Sequence, residues 1–405
     1  MSDAESEPAT PDPTPLELVP RMTLQGYEPQ QVEHRREWVE EKTGAHLQHV
    51  GSLSVPTEET RGNIENPIGA AQVPLGVAGP LLVKGQHADG TFYVPLATTE
   101  GALVRSYERG MVALTRSGGV ETRLYVDENR ISPVFFFEDV GQAWAFAQRL
   151  PECFDEVRAA AEATTRHGKL LRLEAHPLGR QVIVDFAYST GDAQGMNMIA
   201  RATEQGCQWL AANSEAQRYH IFSGMSSEKR ASGQLLLGGK GKKVIAGAKL
   251  PARIIKAYLH TTPQMLHDVW QHTLLGHLQA NAIGYNAHLA NGLTGIFIAC
   301  GQDVANVANA AVAITHFELT ETGDLYASVT LPSLTVATVG GGTGQGTARE
   351  CLEMLGCVGG GKSPKFAEII AAALLGGELS MAAAIASGEF VNAHETYGRN
   401  RPESQ

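Results

Sequence analysis

The sequence predicts a mixed α+β fold, and three features support that class. Strand-like apolar runs, such as Gln181 to Tyr188 (Q-V-I-V-D-F-A-Y), alternate with helix-like runs along the chain. Hydrophobic residues make up 43% and charged residues 19% of the sequence, which is ordinary for a chain that buries a core. The length of 405 residues indicates about two or three domains.

The N-terminal part begins with an acidic, proline-rich stretch. Residues 1–15 are typical of a disordered tail. Residues 16–50 predict a small helical segment, centred on one charged helix over residues 28–42. From residue 51 to 132 strands and turns alternate, and a helix is predicted from near Thr98 to Thr115.

Residues 133–222 have the pattern of an inserted α+β unit. Its predicted elements are a strand at 134–137, helices near 140–149 and 152–166, a strand at 181–188 and a helix at 198–212. The chain then returns to the first unit over residues 223–388. The predicted elements there are a strand at 242–250, helices over 252–283 broken near Pro263, a strand at 326–339 and an apolar helix at 365–388. Residues 389–405 are predicted to form a mobile C-terminal segment.

Composition argues against several functions and locations. The net charge of −11 argues against general nucleic-acid binding. No run reaches about 18 consecutive apolar residues, and the N-terminus lacks the features of a secretory signal, so we expect no membrane span. Five cysteines without C-x-x-C favour the reducing cytoplasm. The histidines show no H-E-x-x-H, so we expect no zinc site.

The turn D-A-Q-G-M-N at 192–197 lies between a predicted strand and a predicted helix. Such a junction presents backbone N–H groups and a helix N-terminus to an anionic ligand. The chain lacks G-x-G-x-x-G, so a dinucleotide would be bound without the usual Rossmann turn. A basic cluster at 240–243 is compatible with either a phosphate-binding loop or an exposed hairpin.

Four ionisable residues are candidates for catalysis, and each also has a plain structural interpretation. Glu100 is either a functional acid, placed in the first helical turn where the helix dipole favours a carboxylate, or only a helix-start glutamate. Lys229 is either functional or a solvated loop charge. Asp303 follows an apolar run and is either a general acid/base partner or a helix cap. His394 is either functional or a surface histidine.

Residues 356–363 (G-C-V-G-G-G-K-S) match the P-loop pattern but are interpreted as a chance match. A helix-like stretch precedes them and Pro364 follows, whereas a P-loop joins a buried strand to a helix.

Seven segments in order closely resemble the 3-hydroxy-3-methylglutaryl-coenzyme A (HMG-CoA) reductase family, in its class I form. These segments are E-N-P-I-G (65–69), P-L-G-V-A-G-P (74–80), A-T-T-E-G (97–101), D-A-Q-G-M-N-M-I (192–199), G-Y-N-A-H-L-A-N (284–291), C-G-Q-D (300–303) and T-V-G-G-G-T (338–343). The resemblance implies the HMG-CoA reductase fold: a large substrate-binding domain (51–132 and 223–388) with an inserted, ferredoxin-like NADP(H)-binding domain (133–222). It also implies a homodimer or larger assembly with the active site between subunits.

By this resemblance the chain reduces HMG-CoA to mevalonate and coenzyme A with two NADPH, without a membrane anchor. Lys229 matches the lysine that stabilises the oxyanion, and Glu100 matches the proton donor. Asp303 matches the aspartate coupled to both, and His394 matches the histidine that protonates the leaving thiolate. The position of the regulatory serine of higher eukaryotes is Asn400, so that switch should be absent.

The resemblance also assigns binding positions. Those near the substrate are Glu65, Ser106, Arg109, Arg130, Ser223, Glu228, Arg230, His288 and Asn291. Those near the cofactor are Thr165, Arg166, Asp192, Ala193, Gln194, Gly195, Met196, Asn197, Met198, Lys240, Gly241 and Lys242. Arg166 would bind the 2′-phosphate and favour NADPH. The chain departs from the family at E-K-R (228–230), where many members have D-K-K, and the alignment at Arg130 needs a shift of one residue.

Three alternatives remain at this point. One is an enzyme of the same fold that carries out NADH-linked mevalonate oxidation in catabolism, which Arg166 disfavours. Another is a P-loop nucleotide hydrolase. A third is a catalytically dead coenzyme A-binding protein, which the complete acid/base set disfavours.

Overall fold

A computed structural model describes residues 17–21 and 26–388, which fall into two compact units divided between Gln72 and Val73. The first unit contains helix α1 (Pro29–Thr43), which confirms the helix predicted at 28–42, and a 3₁₀ turn at Thr57–Thr60. The side chain of Arg35 on α1 is buried and donates hydrogen bonds to the carbonyl oxygens of Pro20, Gly26 and Pro67. A buried guanidinium with three backbone acceptors can hold this small unit together.

The second unit contains the remaining strands and helices. Its strands are β1 (Leu75–Gly85), β2 (Asp89–Ala97), β3 (Val120–Ile131), β4 (Val134–Phe136), β5 (Lys169–Leu178), β6 (Gln181–Ser189), β7 (Arg218–His220), β8 (Gly241–Leu250), β9 (Ile314–Leu319) and β10 (Leu325–Leu334). Its helices are α2 (Leu103–Arg116), α3 (Val140–Arg149), α4 (Phe154–Glu162), α5 (Met196–Ala212), α6 (Ala252–Ile254), α7 (Pro263–Gln279), α8 (Leu289–Ala299), α9 (Val307–Ala310), α10 (Gly346–Met354) and α11 (Ser363–Ser387).

The strands form one mixed sheet, which confirms the predicted α+β class. Its strand order is β7-β4-β6-β3-β8-β10-β9, while β1 pairs with β2 and β3, and β5 pairs with β6. Strand β3 joins the two halves of the sheet. Its residues Glu121 to Glu128 pair with β8, and its last residues, Asn129 to Ile131, pair with β6. Residues near the end of β3 therefore lie where the two halves meet.

Two separate apolar cores lie against this sheet. The larger core is built from β1, β2, β8, β10, α2, α8 and α11. The smaller core is built only from residues between Ile131 and Leu210, including Phe135, Phe186 and Tyr188. Strand β5, which sequence patterning missed, covers one edge of β6 in this part.

Helix α11 is the central helix of the larger core. It is long and apolar enough to cross a membrane by length and composition, but 78% of its most apolar window is buried in the protein. Its glycines allow close packing, since a Cβ atom on Gly377 would lie 2.4 Å from the ring of Tyr107. On α2, a Cβ atom on Gly110 would lie 1.8 Å from the carbonyl oxygen of Gly376.

Two of the element starts that differ from the sequence prediction follow a residue in the left-handed conformation. Helix α2 begins at Leu103, not near Thr98, because Ala102 takes a left-handed conformation with φ of 73° just before it. Helix α5 begins at Met196, two residues earlier than predicted, after left-handed Gly195 with φ of 74°. In both cases the local turn, not the apolar period, sets the helix start.

The carboxylate of Glu368 on α11 organises the turn between β1 and β2. It is fully buried and accepts hydrogen bonds from the backbone N–H groups of Gln86 (3.2 Å), His87 (2.8 Å) and Ala88 (2.7 Å). A buried carboxylate is tolerated only when it is bonded in this way.

We predict that Glu368→Gln destabilises the protein by about 2–4 kcal/mol, because the neutral amide loses the charge and turns an N–H group toward N–H donors. The free energy of unfolding in urea measures this change. The control is Glu321→Gln on an exposed turn, which is expected to change stability by less than about 0.5 kcal/mol. Equal stability of the two variants would contradict the role of Glu368.

Candidate active site

An ion pair joins two of the candidate catalytic residues. The Nζ atom of Lys229 lies 2.8 Å from Oδ2 of Asp303, and the two side chains remain 47% and 34% exposed. Hydrogen bonding to Asp303 raises the pKa of Lys229, although partial burial opposes this effect. Lys229 is therefore a positively charged group that a ligand can still reach.

Asp303 acts both as a helix cap and as an ionic partner. Its Oδ1 atom accepts the N–H of Ala305 at 3.1 Å, at the start of a 3₁₀ turn (Val304–Asn306). Its Oδ2 atom is left for Lys229. The helix-cap interpretation is therefore confirmed, and the second carboxylate oxygen forms the ion pair with Lys229.

The loop that carries Lys229 has an unusual backbone. Ser227 and Lys229 both have φ of 54°, in the left-handed region that side chains other than glycine rarely adopt. Such residues cost about 1–3 kcal/mol each and concentrate at functional sites. The left-handed conformation was not predicted at either residue, since no glycine stands at these positions in the sequence.

Glu100 lies in the bend before α2 and not in the first helical turn, which corrects the expected helix start. Its backbone N–H donates to the hydroxyl of Thr98 at 3.0 Å. Its exposed carboxylate accepts a long hydrogen bond from Nδ2 of Asn291, at 3.5 Å. The structure therefore places Glu100 beside Asn291 on the first turn of α8.

His288 and Glu378 fix the beginning of α8. The buried carboxylate of Glu378 on α11 accepts the backbone N–H groups of Ala287 (2.7 Å) and His288 (2.9 Å). Nε2 of His288 lies 3.1 Å from the carbonyl oxygen of Gly377, and Nδ1 lies 3.5 Å from the hydroxyl of Tyr107. Since a carbonyl only accepts, neutral His288 carries its proton on Nε2. Both ring nitrogens of His288 thus have partners inside the protein.

Ser106 and Arg109 lie one turn apart on α2 and contact the same residue of α11. The hydroxyl of Ser106 lies 3.1 Å from that of Ser380. Nε of Arg109 donates to the same hydroxyl at 3.0 Å, and Nη2 donates to the carbonyl oxygen of Ser380 at 2.7 Å. This face of α2 is held in a fixed position against α11.

Arg130, Glu228 and Lys240 form a buried cluster. Lys240 is fully buried, forms an ion pair with Glu228, and donates to the carbonyl oxygen of Arg130 at 3.2 Å. Burial lowers the pKa of Lys240, and the attraction of Glu228 opposes this effect. Nζ of Lys240 also lies 3.4 Å from Sδ of Met196, the first residue of α5. Substrate and cofactor candidates therefore meet here.

A second basic residue of the 240–243 loop, Lys242, is also buried. Nζ of Lys242 on β8 lies 3.0 Å from Oδ1 of Asp127 on β3. The exposed-hairpin interpretation is therefore wrong for Lys240 and Lys242, because both lysines are buried and both ammonium groups have carboxylate partners. Gly241 at the start of β8 has φ of 90°, and a Cβ atom there would lie 2.5 Å from the carbonyl oxygen of Leu334.

The carboxylate of Asp192 holds the glycine-rich segment that mimics a P-loop. It accepts the backbone N–H groups of Gly361 at 2.6 Å and Ser363 at 2.9 Å, at the start of α11. Burial raises the pKa of Asp192, but these backbone donors outweigh it and the net shift is downward. The nucleotide hydrolase alternative gains no support, because a carboxylate of the chain itself occupies the place of a phosphate.

The rest of the 192–198 turn makes other contacts, with Thr190 and Asn129. Gly195 has a left-handed conformation, and a Cβ atom there would lie 2.7 Å from the side chain of Thr190. No side chain among the described residues caps the first N–H groups of α5. Ala193, Gln194, Asn197 and Met198 complete this turn, and Asn129 on β3 donates to the carbonyl oxygen of Gln194 at 3.0 Å.

The Thr165–Gly168 turn lies beside the start of α5. The hydroxyl of Thr165 accepts the N–H groups of His167 (3.2 Å) and Gly168 (2.9 Å), and Arg166 is exposed between them. A Cβ atom on Gly168 would lie 3.3 Å from Cε of Met198. The structure therefore brings the two predicted cofactor segments together.

The remaining candidates are less informative. The hydroxyl of Ser223 donates to the carbonyl oxygen of Ser132 at 2.7 Å, and exposed Arg230 lies beside Gly224. Glu65 is exposed and belongs to the first unit. His394 lies outside the described residues. In the described part of the chain, no group of three or more His, Cys, Asp or Glu residues could hold a metal ion.

Sequence reasoning missed two buried carboxylates beside the candidate residues. Asp185 on β6 forms an ion pair with Arg130, and Glu378 fixes the loop of His288. Both stand alone in apolar runs, and an unexplained charge in such a run is the signal that could have revealed them.

Comparisons with known proteins give a consistent result. The protein-family model described as hydroxymethylglutaryl-coenzyme A reductase matches residues 31–399. A protein named 3-hydroxy-3-methylglutaryl-coenzyme A reductase from Methanothermobacter thermautotrophicus is 42% identical over 368 residues, covering 90% of this chain and 92% of that protein. One of the same name from Pyrococcus horikoshii is 43% identical over 376 residues, covering 91% of each.

Solved structures show the same fold. The class II 3-hydroxy-3-methylglutaryl-CoA reductase from Streptococcus pneumoniae, bound to NADPH in open conformations, matches with a TM-score of 0.67 and 18% identity. The match covers 90% of this chain and 100% of that one. At 18% identity, the structural similarity supports the fold alone.

We predict that Asp192→Asn destabilises the protein by about 1.5–3 kcal/mol at pH 7, because the charged acceptor of two backbone N–H groups is lost. The pKa of Asp192 is lowered in the folded state, so its contribution is present above the unfolded value of about 3.9 and is lost at lower pH. The difference in unfolding free energy from the wild type should therefore shrink below about pH 4.

The matched control is Asp139→Asn, which changes the cap of α3. Asn and Asp cap helices about equally well, so little change is expected. A difference between wild type and Asp192→Asn that stays constant down to pH 3 would contradict the ionic role.

Proposed function

Because the chain belongs to the hydroxymethylglutaryl-coenzyme A reductase family, we propose that it reduces (S)-HMG-CoA to (R)-mevalonate and coenzyme A with two NADPH. The fold expected from the sequence resemblance is confirmed. In this proposal the product enters isoprenoid biosynthesis. The single observation that carries the proposal is the accessible ion pair between Lys229 and Asp303.

The first chemical requirement is a positive charge beside the thioester carbonyl. When bound, NADPH would supply a hydride to the acyl carbon, and negative charge would then develop on the carbonyl oxygen. The Lys229 ammonium would stabilise that oxygen, and Asp303 keeps the ammonium protonated by raising its pKa. Asp303 is itself held by the N–H of Ala305, so the ammonium has a fixed partner.

The second requirement is a pair of proton donors. Glu100 would protonate the oxygen during reduction of the aldehyde, and Asn291 orients the Glu100 carboxyl group through its amide. His394 would protonate the departing coenzyme A thiolate and so prevent its return to mevaldehyde. These roles rest on the family resemblance together with the contact between Glu100 and Asn291.

The third requirement is recognition of both ends of the substrate. Arg130 would bind the free carboxylate of the acyl group, because its Nε and Nη2 atoms are buried and have no partner among the described residues. Ser223, Glu228 and Arg230 would complete that pocket. Toward coenzyme A, Ser106, Arg109 and His288 would shape the binding surface, and their contacts inside the protein support that role.

The residues around α5 fit a dinucleotide phosphate. The uncapped start of α5 offers backbone N–H groups and the positive end of a helix dipole. Arg166 is exposed in the Thr165–Gly168 turn, which lies beside this helix start, and its guanidinium would bind the 2′-phosphate of NADPH. We further propose that Lys240 and Lys242 act on this site by holding the loop at the start of β8.

Domain arrangement, assembly and location are part of the same proposal. Residues 133–222 would form the cofactor domain, which the separate core of residues 131–210 supports. By the family resemblance, a homodimer would share its active site between subunits. The cysteines at 153, 207, 300, 351 and 357 are free and buried, which supports a reducing compartment such as the cytoplasm.

We predict that the wild type oxidises NADPH in the presence of HMG-CoA and that Lys229→Ala lowers kcat by at least about 10²-fold, because the oxyanion loses its charged donor. Absorbance of NADPH measures the rate. The matched control is Lys249→Ala, which removes another exposed lysine–aspartate pair, of 3.2 Å, away from the site. Full activity of Lys229→Ala would refute the role of the ion pair.

We predict that Arg166→Ala raises KM for NADPH about tenfold or more and leaves KM for NADH nearly unchanged, since only NADPH carries the 2′-phosphate. Steady-state kinetics with both cofactors test this. The control is Arg180→Ala, an exposed arginine in the turn at the opposite end of β5. An unchanged ratio of the two KM values would mean that the 2′-phosphate is recognised elsewhere.

A further inference from the structure

Arg130 and Asp185 form an ion pair inside the smaller half of the sheet. Nη1 of Arg130 lies 3.2 Å from Oδ2 of Asp185, and the two residues are only 6% and 3% exposed. Arg130 lies on β3 and Asp185 on the antiparallel neighbour β6. A buried ion pair gives little net stability, because desolvation offsets the attraction. A role other than stability would account for this pair.

Asp185 is held by other partners as well as by Arg130. The hydroxyl of Ser132 donates a short hydrogen bond to its Oδ1 atom. On β5, Nε2 of His176 lies 3.5 Å from its Oδ2 atom. Groups on β3, on β5 and in the loop after β3 thus surround this carboxylate, and its contact with Nη1 restrains the Arg130 guanidinium.

The part of Arg130 that Asp185 does not contact lacks any protein acceptor. Nε and Nη2 are buried and have no hydrogen-bond partner among the described residues. These two nitrogens share one edge of the planar guanidinium, which is the edge that can bind a carboxylate through two parallel hydrogen bonds. Leaving buried donors unpaired costs about 1–3 kcal/mol each, so the edge is suited to an incoming anion.

The neighbouring backbone leaves little freedom for this guanidinium. A Cβ atom on Gly239 would lie 3.0 Å from Nη1 and 3.2 Å from Cζ of Arg130. Lys240 donates to the carbonyl oxygen of Arg130 and binds Glu228. Glycine at 239, with φ of 90°, thus permits close approach of the loop to the guanidinium.

We propose that Asp185 is a positioning residue for substrate recognition: it engages Nη1 of Arg130 so that the Nε–Nη2 edge faces the free carboxylate of the acyl group. This inference rests on the proposed function, because it takes HMG-CoA as the ligand. Two parallel hydrogen bonds to a carboxylate need a guanidinium in a fixed orientation, and an arginine that is held on one side has such an orientation. Asp185 does not itself contact the substrate.

The test compares HMG-CoA with coenzyme A, which lacks the acyl carboxylate. Dissociation constants are measured by calorimetry for the wild type and for Asp185→Asn, which keeps an acceptor for Ser132 and a similar shape. We expect Asp185→Asn to weaken HMG-CoA binding about 10-fold or more and coenzyme A binding less than 2-fold. In steady-state assays KM for HMG-CoA should rise, while kcat changes less.

Two further variants separate positioning from loss of structure. In an Arg130→Ala background, Asp185→Asn should cause no further loss, because its effect passes through Arg130. Ser132→Ala removes one donor to Asp185 and should weaken HMG-CoA selectively by a smaller factor. It also serves as the test if Asp185→Asn does not fold. The control Asp324→Asn alters an exposed ion pair with Lys249 and should leave both ligands unaffected.

The outcomes distinguish a failure of this inference from a failure of the proposed function. If the wild type binds HMG-CoA no more tightly than coenzyme A and does not reduce it, the proposed function fails and this inference fails with it. If the wild type is active but Asp185→Asn weakens both ligands equally, or neither, the positioning role alone is overturned. A further loss of HMG-CoA affinity in the double variant would also overturn it.

Discussion

Helix α11 is the constraint on which the rest of the second unit depends. It is almost wholly buried and apolar, yet its few polar side chains each hold a different part of the protein. Glu368 holds the turn between β1 and β2, Glu378 holds the start of α8, and Ser380 holds α2. Its N-terminus is fixed by Asp192. Because protein interiors are close-packed, these parts cannot shift independently of the helix.

This arrangement explains how exposed side chains of the candidate site can be held in defined positions. Glu378 fixes the first turn of α8, and Asn291 on that turn contacts Glu100. Beyond the C-terminus of α8, Asp303 is fixed by its capping bond and pairs with Lys229. The exposed side chains of the candidate site are therefore positioned by contacts with other residues of the protein. The same principle recurs at Arg130, which Asp185 holds from behind.

Local sequence patterns predicted the elements whose apolar period is strong. The strand at 181–188 and the apolar helix at 365–388 agree with β6 and α11, because burial determines both patterns. Motif order predicted the fold. The predicted start of α2 was wrong because Ala102, which is not a glycine, takes a left-handed conformation just before the helix. The exposed-hairpin interpretation failed for Lys240 because its carboxylate partner, Glu228, lies outside the loop.

The contacts that could not be predicted from the sequence are those between residues far apart in the chain. Asp192 was expected to face a cofactor, but its carboxylate bonds to a segment 169 residues later in the chain. Nothing in the local pattern around either segment specifies that pairing. The ion pair of Lys229 and Asp303 was accessible to sequence reasoning only through the family resemblance, since the two residues are far apart in sequence and neither stands out in its own segment.

The most direct test of the central claim, that Lys229, Asp303 and Glu100 act on one acyl group, is a crystal structure of the full chain with HMG-CoA bound. We expect Nζ of Lys229 within hydrogen-bonding distance of the thioester oxygen, with Asp303 still paired to it and the Glu100 carboxyl group beside the same carbonyl. A thioester bound away from every copy of Lys229 in the crystal would contradict the proposed mechanism.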